Sequence, residues 1–335
     1  MVKVLITGGA GFIGSHIARE LIEQNHIPII VDSYTQYLNP LVTMDYSQIL
    51  KDRFRGIEDK VIMERGNASN FHEIRNIILK HQPERIIHLA SFPISVNSNV
   101  HIEECMEGTI RSTMNIINVC HEVGFVKRFV YTSSSMIYGD YKTNPVSEEH
   151  EKKPKDTYAG AKLAGEYITI GMCNRFQVPY TIIRPSAVYG PTDMNSRVSQ
   201  IFVENALLGK PLVLEGGGKS KLDFTYVKDT AKGFVLAAFS PDAEGEVFNI
   251  TTGNARTLKE YADILKKYFP NLTVIEKPAD PHRPERGTLD ISKARKLLGF
   301  NPEYSLEKAL PEYIDYMKEK IGEGAYKQKT EKPEE

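Results

Sequence analysis

The sequence predicts an α/β fold: a doubly wound parallel sheet followed by a smaller C-terminal α/β domain. Three observations carry this. Short β-branched runs alternate with helical periodicity through the first half, a glycine-rich turn joins the first strand to the first helix, and the alternation becomes irregular after about residue 187.

Val2 to Thr7 reads as the first strand, and Ile13, Ile17 and Leu21 recur behind it at helical spacing. Ile27 to Val31, Lys60 to Glu64, Arg85 to Leu89 and Arg128 to Thr132 supply four more strands. Between the last two, Ile110, Met114, Ile117 and Val119 to Cys120 describe a helix packed on the sheet, and Pro179 to Arg184 forms a sixth strand after a helix that begins near Tyr158. Beyond it come a loop at Tyr189 to Ser196, a helix from Val198 to Leu208 and a hairpin-like region through Gly216-Gly217-Gly218. Residues 227 to 251 then return to the first domain with one helix and one strand. The expected division is 1–186 plus about 227–252 for one domain and about 187–226 plus 253–321 for the other, with 322–335 a charged, frayed tail.

With 42 basic against 43 acidic residues the formal charge is −1, so no global field draws the chain to nucleic acid or to an anionic membrane. No apolar stretch reaches the ~18 residues that span a bilayer, and the opening Met1 to Ile6 run is too short for a signal-peptide core. Three cysteines without CxxC spacing argue against a disulfide framework or a thiolate zinc site and for a reducing compartment, the cytoplasm. Nine histidines include no HExxH, so no metal is expected. Gly218-Lys219-Ser220 imitates the end of a phosphate-binding loop, but Val213 stands where its first glycine belongs.

Gly8, Gly11 and Gly14 lie between strand and amphipathic helix, in a Rossmann-type context where glycines allow a tight turn and close approach of backbone N–H groups to a pyrophosphate. Asp32 ends the second strand 18 residues after Gly14, suited to the hydroxyls of an adenosine ribose. It would repel a 2′-phosphate, and Ser33-Tyr34-Thr35-Gln36 offers no cation to hold one, which favours NAD.

Tyr158 and Lys162 are four residues apart and share a helix face. An ammonium beside a phenol lowers its pKa toward working pH, so the phenolate can take a proton from a sugar or alcohol hydroxyl. The pair lies downstream of Thr132-Ser133-Ser134-Ser135-Met136-Ile137-Tyr138-Gly139.

Together these motifs resemble the extended short-chain dehydrogenase/reductase family, in its nucleotide-sugar epimerase/dehydratase branch. Ile86-Ile87-His88-Leu89-Ala90, Arg184-Pro185-Ser186-Ala187-Val188-Tyr189-Gly190-Pro191, Phe224-Thr225-Tyr226-Val227-Lys228-Asp229 and Asp290-Ile291-Ser292-Lys293-Ala294 extend the likeness over nearly the whole chain. The resemblance implies that Tyr158 is the base, that Lys162 holds the nicotinamide ribose, and that Ser134 hydrogen-bonds the reacting 4-hydroxyl. It implies NAD contacts at Gly8, Gly11, Phe12, Ile13, Gly14 and Asp32, adenine contacts at Asn67 and Ala68, a path beneath the cofactor along Leu89, Ala90 and Ser91, and nicotinamide neighbours at Pro185 and Val188. A carboxylate is commoner than Asn67 at that position.

Related dehydratases carry an Asp-Glu pair where this chain has Ser135 and Met136, and UDP-glucuronate decarboxylases carry a glutamate at the latter, so both reactions are disfavoured. The reductive epimerases use a Cys and a His that the serine run lacks. What remains is 4-epimerisation, which needs no further acid or base. Arg-Pro-Ser-Ala-x-Tyr-Gly, Leu-Asp-Phe-Thr-Tyr and Arg-Pro-Glu-Arg-Gly-Thr-Leu are similar to bacterial UDP-glucuronate 4-epimerases. The expected partner is a nucleoside-diphosphate sugar, a UDP-hexose or UDP-hexuronate, met by Ser134, Tyr158, Ala187, Arg197 and Arg283; Ala187 replaces the family's usual Asn. The alternatives are a dehydratase, decarboxylase or oxidoreductase of the same family, or a catalytically silent NAD-binding regulatory protein. The family resemblance further implies a homodimer built from the Glu104 to Cys120 stretch and the helix after Tyr158.

Overall fold

The computed structural model describes residues 1–35, 45–93, 95–280 and 283–323. The chain runs β1 (Lys3–Thr7), α1 (Phe12–Glu23), β2 (Ile27–Asp32), α2 (Tyr46–Phe54), β3 (Ile62–Arg65), α3 (Phe71–His81), β4 (Arg85–His88), α4 (Ser95–Ser98), α5 (Ile102–Met106), α6 (Ser112–Val123), β5 (Arg128–Thr132), α7 (Thr157–Phe176) and β6 (Tyr180–Pro185). It continues through β7 (Val188–Tyr189), α8 (Val198–Leu207), β8 (Leu212–Glu215), β9 (Lys221–Leu222), β10 (Thr225–Tyr226), α9 (Val227–Phe239), β11 (Val247–Ile250), β12 (Arg256–Thr257), α10 (Leu258–Tyr268), β13 (Val274–Lys277), α11 (Ser292–Leu298) and α12 (Leu306–Gly322).

Seven parallel strands form the main sheet in the order β11-β6-β5-β4-β1-β2-β3. Alternate residues of each strand enter opposite cores, which is why the strands read as continuous apolar runs. Val4, Ile6, Ile30, Ile87, Val130 and Ile183 pack with Ile17 of α1 and Phe234 of α9. Leu5, Ile29, Ile86, Phe129 and Ile182 pack with Ile74 of α3 and Ile117 of α6 on the other face. A separate core gathers Phe202, Leu212, Phe224, Tyr261 and Tyr313, and it includes Ile49 of α2 from early in the chain.

Three sequence expectations are corrected. The glycine turn at 216–218 does not close a hairpin: β8 pairs in parallel with β13, and β9 pairs antiparallel with β12, so local spacing could not reveal the partners. The helix expected around Ile110 is interrupted, with a π-helical segment at Glu107–Arg111 preceding α6, and Met114 is exposed rather than packed on the sheet. The third strand also starts later, at Ile62, after a 3-10 turn at Glu58–Lys60. Of the charged tail, residues 324–335 lie outside the described residues.

Buried polar ties hold the two cores in register. The Arg53 guanidinium donates to the Ala10 carbonyl at 2.8 Å and the Thr192 carbonyl at 3.0 Å, joining the glycine-rich turn to the loop before α8. His16 Nε2 donates to the Pro191 carbonyl at 3.2 Å, and burial lowers the pKa of His16 to about 4. The Asp223 carboxylate accepts from Thr251, Thr252 and the Leu289 N–H, so this motif residue is a structural tie. His88 lies between Thr7 and Thr113, lowered by burial to about 3, and is a neutral core histidine.

An unfolded imidazole takes its proton near pH ~6.5, whereas folded His16 does so only near 4. Between those values the unfolded chain binds more protons, so stability falls as pH falls through that window. Thermal unfolding from pH 7 to 4 should show this decline, and His16→Gln, which keeps a donor for Pro191, should make it shallower; an unchanged slope contradicts the reading.

Candidate active site

The strand order reverses between β1 and β4, and sheets of this kind take ligands at the carboxyl ends flanking such a point. Gly8 there has φ +67°, and a Cβ would stand 2.9 Å from the Ala90 nitrogen; at Gly14 it would stand 2.7 Å from the Gly9 Cα. Gly11 caps α1 without a side-chain hydrogen bond, so the first N–H groups of the helix face outward. Asp32 accepts from Ala10 N at 3.1 Å and Tyr34 N at 2.8 Å, which fixes its carboxylate and leaves lone pairs for ribose hydroxyls. Burial pushes the Asp32 pKa up, and these N–H groups oppose the rise. Ser33, Tyr34 and Thr35 bring no cation, while Gln36 lies outside the described residues. This donor set fits NAD.

Phe12, Ile13 and Val188 pack together with Val227, bringing the start of α1 against β7. Ala90 N donates to Thr7 Oγ1 at 3.3 Å, and Leu89 and Ser91 flank it, half-buried. Ala68 is buried; its carbonyl and that of Ser69 accept from the Asn115 side chain at 3.1 and 2.9 Å. The Asn67 Oδ1 accepts from Ser69 N at 2.9 Å, within its own turn. Pro185 ends β6 beside Ile250.

The chemistry-bearing side chains converge where β5 ends under α7. Ser134 accepts from Met136 N at 3.2 Å, which leaves its proton to donate, and its hydroxyl is near enough to the Tyr158 phenol to favour the phenolate. Lys162, buried, donates from Nζ to the Thr132 carbonyl at 2.8 Å, and its ammonium lies 5.8 Å from the centre of the Tyr158 ring. Thr132 Oγ1 and Ser133 Oγ are buried without partners among the described residues.

Electrostatics here correct the expectation drawn from spacing. Burial raises the Tyr158 pKa, opposed first by the Arg197 charge and then by the Ser134 hydroxyl. Burial also brings Lys162 down to about 7, so it titrates near neutrality. The start of α7 is held by partners far away in sequence. Asp156 accepts from Ala159 N at 2.7 Å, Tyr158 N donates to Ser98 Oγ at 3.0 Å, and Thr157 N donates to Asn99 Oδ1 at 3.1 Å.

Arg197 caps α8 and donates to the Val188 carbonyl at 3.2 Å while acting on Tyr158. Arg283 is exposed and ion-paired to Glu215 at 3.2 Å and Asp280 at 3.5 Å. The second arginine of the same motif, Arg286, is the one at the site: half-buried, with Nη1 3.4 Å from Met136 Sδ. Sequence reasoning missed it, along with Ser98, Asn99 and Asn115; only the Arg-Pro-Glu-Arg string signalled Arg286.

The fold and site define a dinucleotide-dependent enzyme scaffold acting on hydroxyl carbons. The chain belongs to the NAD dependent epimerase/dehydratase family, whose model matches residues 4–251. NAD is its cofactor. It is 31% identical over 327 residues to a putative UDP-glucose 4-epimerase of Methanocaldococcus jannaschii, covering 94% of this chain and 98% of that protein. It is similar to the crystal structure of a Bacillus cereus UDP-glucuronic acid 4-epimerase in complex with UDP-glucuronic acid and NAD, with TM-score 0.86, 26% identity and coverage of 95% and 99%. A Thermotoga maritima UDP-glucose 4-epimerase with UDP-glucose matches with TM-score 0.85, 26% identity and coverage of 95% and 99%.

Ala187, where the family's usual Asn is missing, has φ 39°, a left-handed conformation that Asn or Gly tolerates better than Ala. Ala187→Gly should raise stability by roughly 0.5–1 kcal/mol in urea denaturation; a lowered midpoint contradicts the strain.

Proposed function

We propose that this chain is an NAD-dependent UDP-sugar 4-epimerase, working on a UDP-hexose or UDP-hexuronate. The observation that carries the reading is the Ser134–Tyr158–Lys162 constellation on the nucleotide-binding sheet, with Ser135 and Met136 beyond it in place of an acid pair. NAD, when bound, supplies an oxidised nicotinamide that accepts a hydride from C4 of the sugar and returns it.

Tyr158 takes the proton of the 4-hydroxyl and gives it back to the 4-keto oxygen after the sugar has turned over. Ser134 donates to that oxygen and orients it against Tyr158. Lys162 holds the nicotinamide ribose and fixes α7 to the end of β5 through Thr132. With no carboxylate at Ser135 or Met136 to remove the C5 proton or expel the 6-hydroxyl, the dehydration route is closed and the 4-ketone is returned by reduction. Gly8, Gly11, Phe12, Ile13, Gly14, Asp32, Asn67, Ala68, Leu89, Ala90, Ser91, Pro185 and Val188 line the NAD path. Residues 1–186 with 227–252 form the NAD part, and 187–226 with 253–321 form the sugar-nucleotide part.

A homodimer accompanies this reading: Val100, Ile102, Met106, Met114 and Tyr167 are exposed apolar side chains around α5, α6 and α7, a concentration that favours burial against a second copy. Three buried free cysteines are compatible with a reducing, cytoplasmic setting. Among the described residues no helix is long and apolar enough to cross a membrane.

Proton NMR of UDP-glucose, UDP-N-acetylglucosamine and UDP-glucuronate with the enzyme should show conversion of at least one to its C4 epimer without net NADH. A keto, decarboxylated or oxidised product overturns the reading. Tyr158→Phe should lower kcat by ~1,000-fold or more while sugar-nucleotide affinity stays within a few-fold; undiminished turnover removes Tyr158 from the mechanism. Tyr167→Glu combined with Met114→Glu should halve the mass seen by light scattering, and a monomeric wild type contradicts the dimer.

A further inference from the structure

Two half-buried arginines lie near the Ser134–Tyr158 pair, Arg197 acting on the phenol and Arg286 resting against Met136, and neither forms an ion pair with a carboxylate among the described residues. Arg197 has the Val188 carbonyl and lies at the N-terminal end of α8, a helix of 10 residues. Arg286 has less: its hydrogen-bond contact is the Met136 thioether, a weak acceptor. A guanidinium presents five donors in a planar fork, and sequestering its charge without an anion is costly. The Arg286 guanidinium also feels the charges of Tyr141 and Asp156, which favour it, and of Arg283, which opposes it. Asp156 makes no ion pair with it, its carboxylate accepting instead from Ala159 N and Ser95 Oγ at the head of α7.

A UDP-hexose brings one anionic group, the pyrophosphate. Arg197 is the better place for it, since the dipole of the α8 N-terminus adds to its charge. That leaves Arg286 for a second anion. Met136 is the second residue after Ser134, on the 3-10 turn Ser135–Tyr138 that Ser134 caps. Ser134 and Tyr158 fix the 4-hydroxyl, so a group held beside Met136 belongs to the ring substituents near C4, and the one that carries charge in a sugar nucleotide is the carboxylate on C5.

Resting on the 4-epimerase reading above, we propose that the substrate is a UDP-hexuronate and that Arg286 determines this specificity by binding the sugar carboxylate in a bidentate pair. The assignment differs from that of Arg283, whose guanidinium already has two carboxylates.

The test compares kcat/KM for UDP-glucuronate and UDP-glucose in the wild type, Arg286→Met and Arg286→Lys, with calorimetric Kd values for both ligands on the same NAD-loaded proteins. Wild type should prefer the uronate by about 100-fold or more. Arg286→Met should collapse that ratio by a similar factor, and Arg286→Lys, which keeps the charge but loses the fork, should restore only part of it. Equal losses for both ligands would assign Arg286 to the pyrophosphate and overturn the proposal. A wild type that epimerises UDP-glucose in preference to UDP-glucuronate overturns it while the 4-epimerase reading stands. Should neither sugar be epimerised, the epimerase reading fails, and the Kd ratio still decides the carboxylate site: a ratio unaffected by Arg286→Met rejects it. Unfolding midpoints within a few degrees of wild type exclude misfolding as the cause.

Discussion

The site depends on how closely α7 can approach β5. A Cβ at Gly165 would lie 2.0 Å from the Tyr131 hydroxyl oxygen, so only glycine lets the helix settle on that ring. In that position Tyr131 donates to the Lys162 carbonyl at 3.1 Å and Lys162 donates to the Thr132 carbonyl at 2.8 Å, locking helix to strand by reciprocal bonds. The bidentate Arg184–Glu166 pair, both side chains buried, ties the next turn of α7 to β6. Ser134 leaves the end of β5 just as Tyr158 enters α7, so this seam sets the hydroxyl-to-phenol distance. A small shift there would be felt directly in proton transfer.

The burial that makes the seam rigid also reverses a simple electrostatic argument. A lysine four residues from a tyrosine suggests a lowered phenol pKa, but that requires a lysine that is charged and close. Here the ammonium is directed at a backbone carbonyl and is itself brought to about 7 by desolvation. Arg197, from a loop about 40 residues away in sequence, is the cation acting on Tyr158. The phenol thus feels a charge from the residue that opens α8 as well as the groups of its own helix.

Much of the scaffold was legible because its signals are local. Strand and helix periodicities, the glycine turn, Asp32 at the end of β2 and the Tyr158/Lys162 spacing each express constraints between near neighbours. The less legible features are long-range. The partners of β8 and β9, the Ser98 and Asn99 contacts to the head of α7, and the Arg53 bridge from Ala10 to Thr192 join segments that spacing does not relate. The π-helical segment before α6 was hidden because it keeps nearly helical side-chain periodicity. Arg286 was overlooked for Arg283 because a motif names residue types but not which guanidinium turns inward.

In the proposed reaction one hydride leaves C4 and returns to the same carbon while the proton passes through Tyr158. The direct measurement is the fate of deuterium placed at C4 of the accepted UDP-sugar, followed by mass spectrometry and NMR during turnover in ordinary water. Retention of deuterium at C4 in substrate and epimer alike is the predicted result. Loss of the label to solvent would contradict the account, since it would require the C4 hydrogen to depart as a proton.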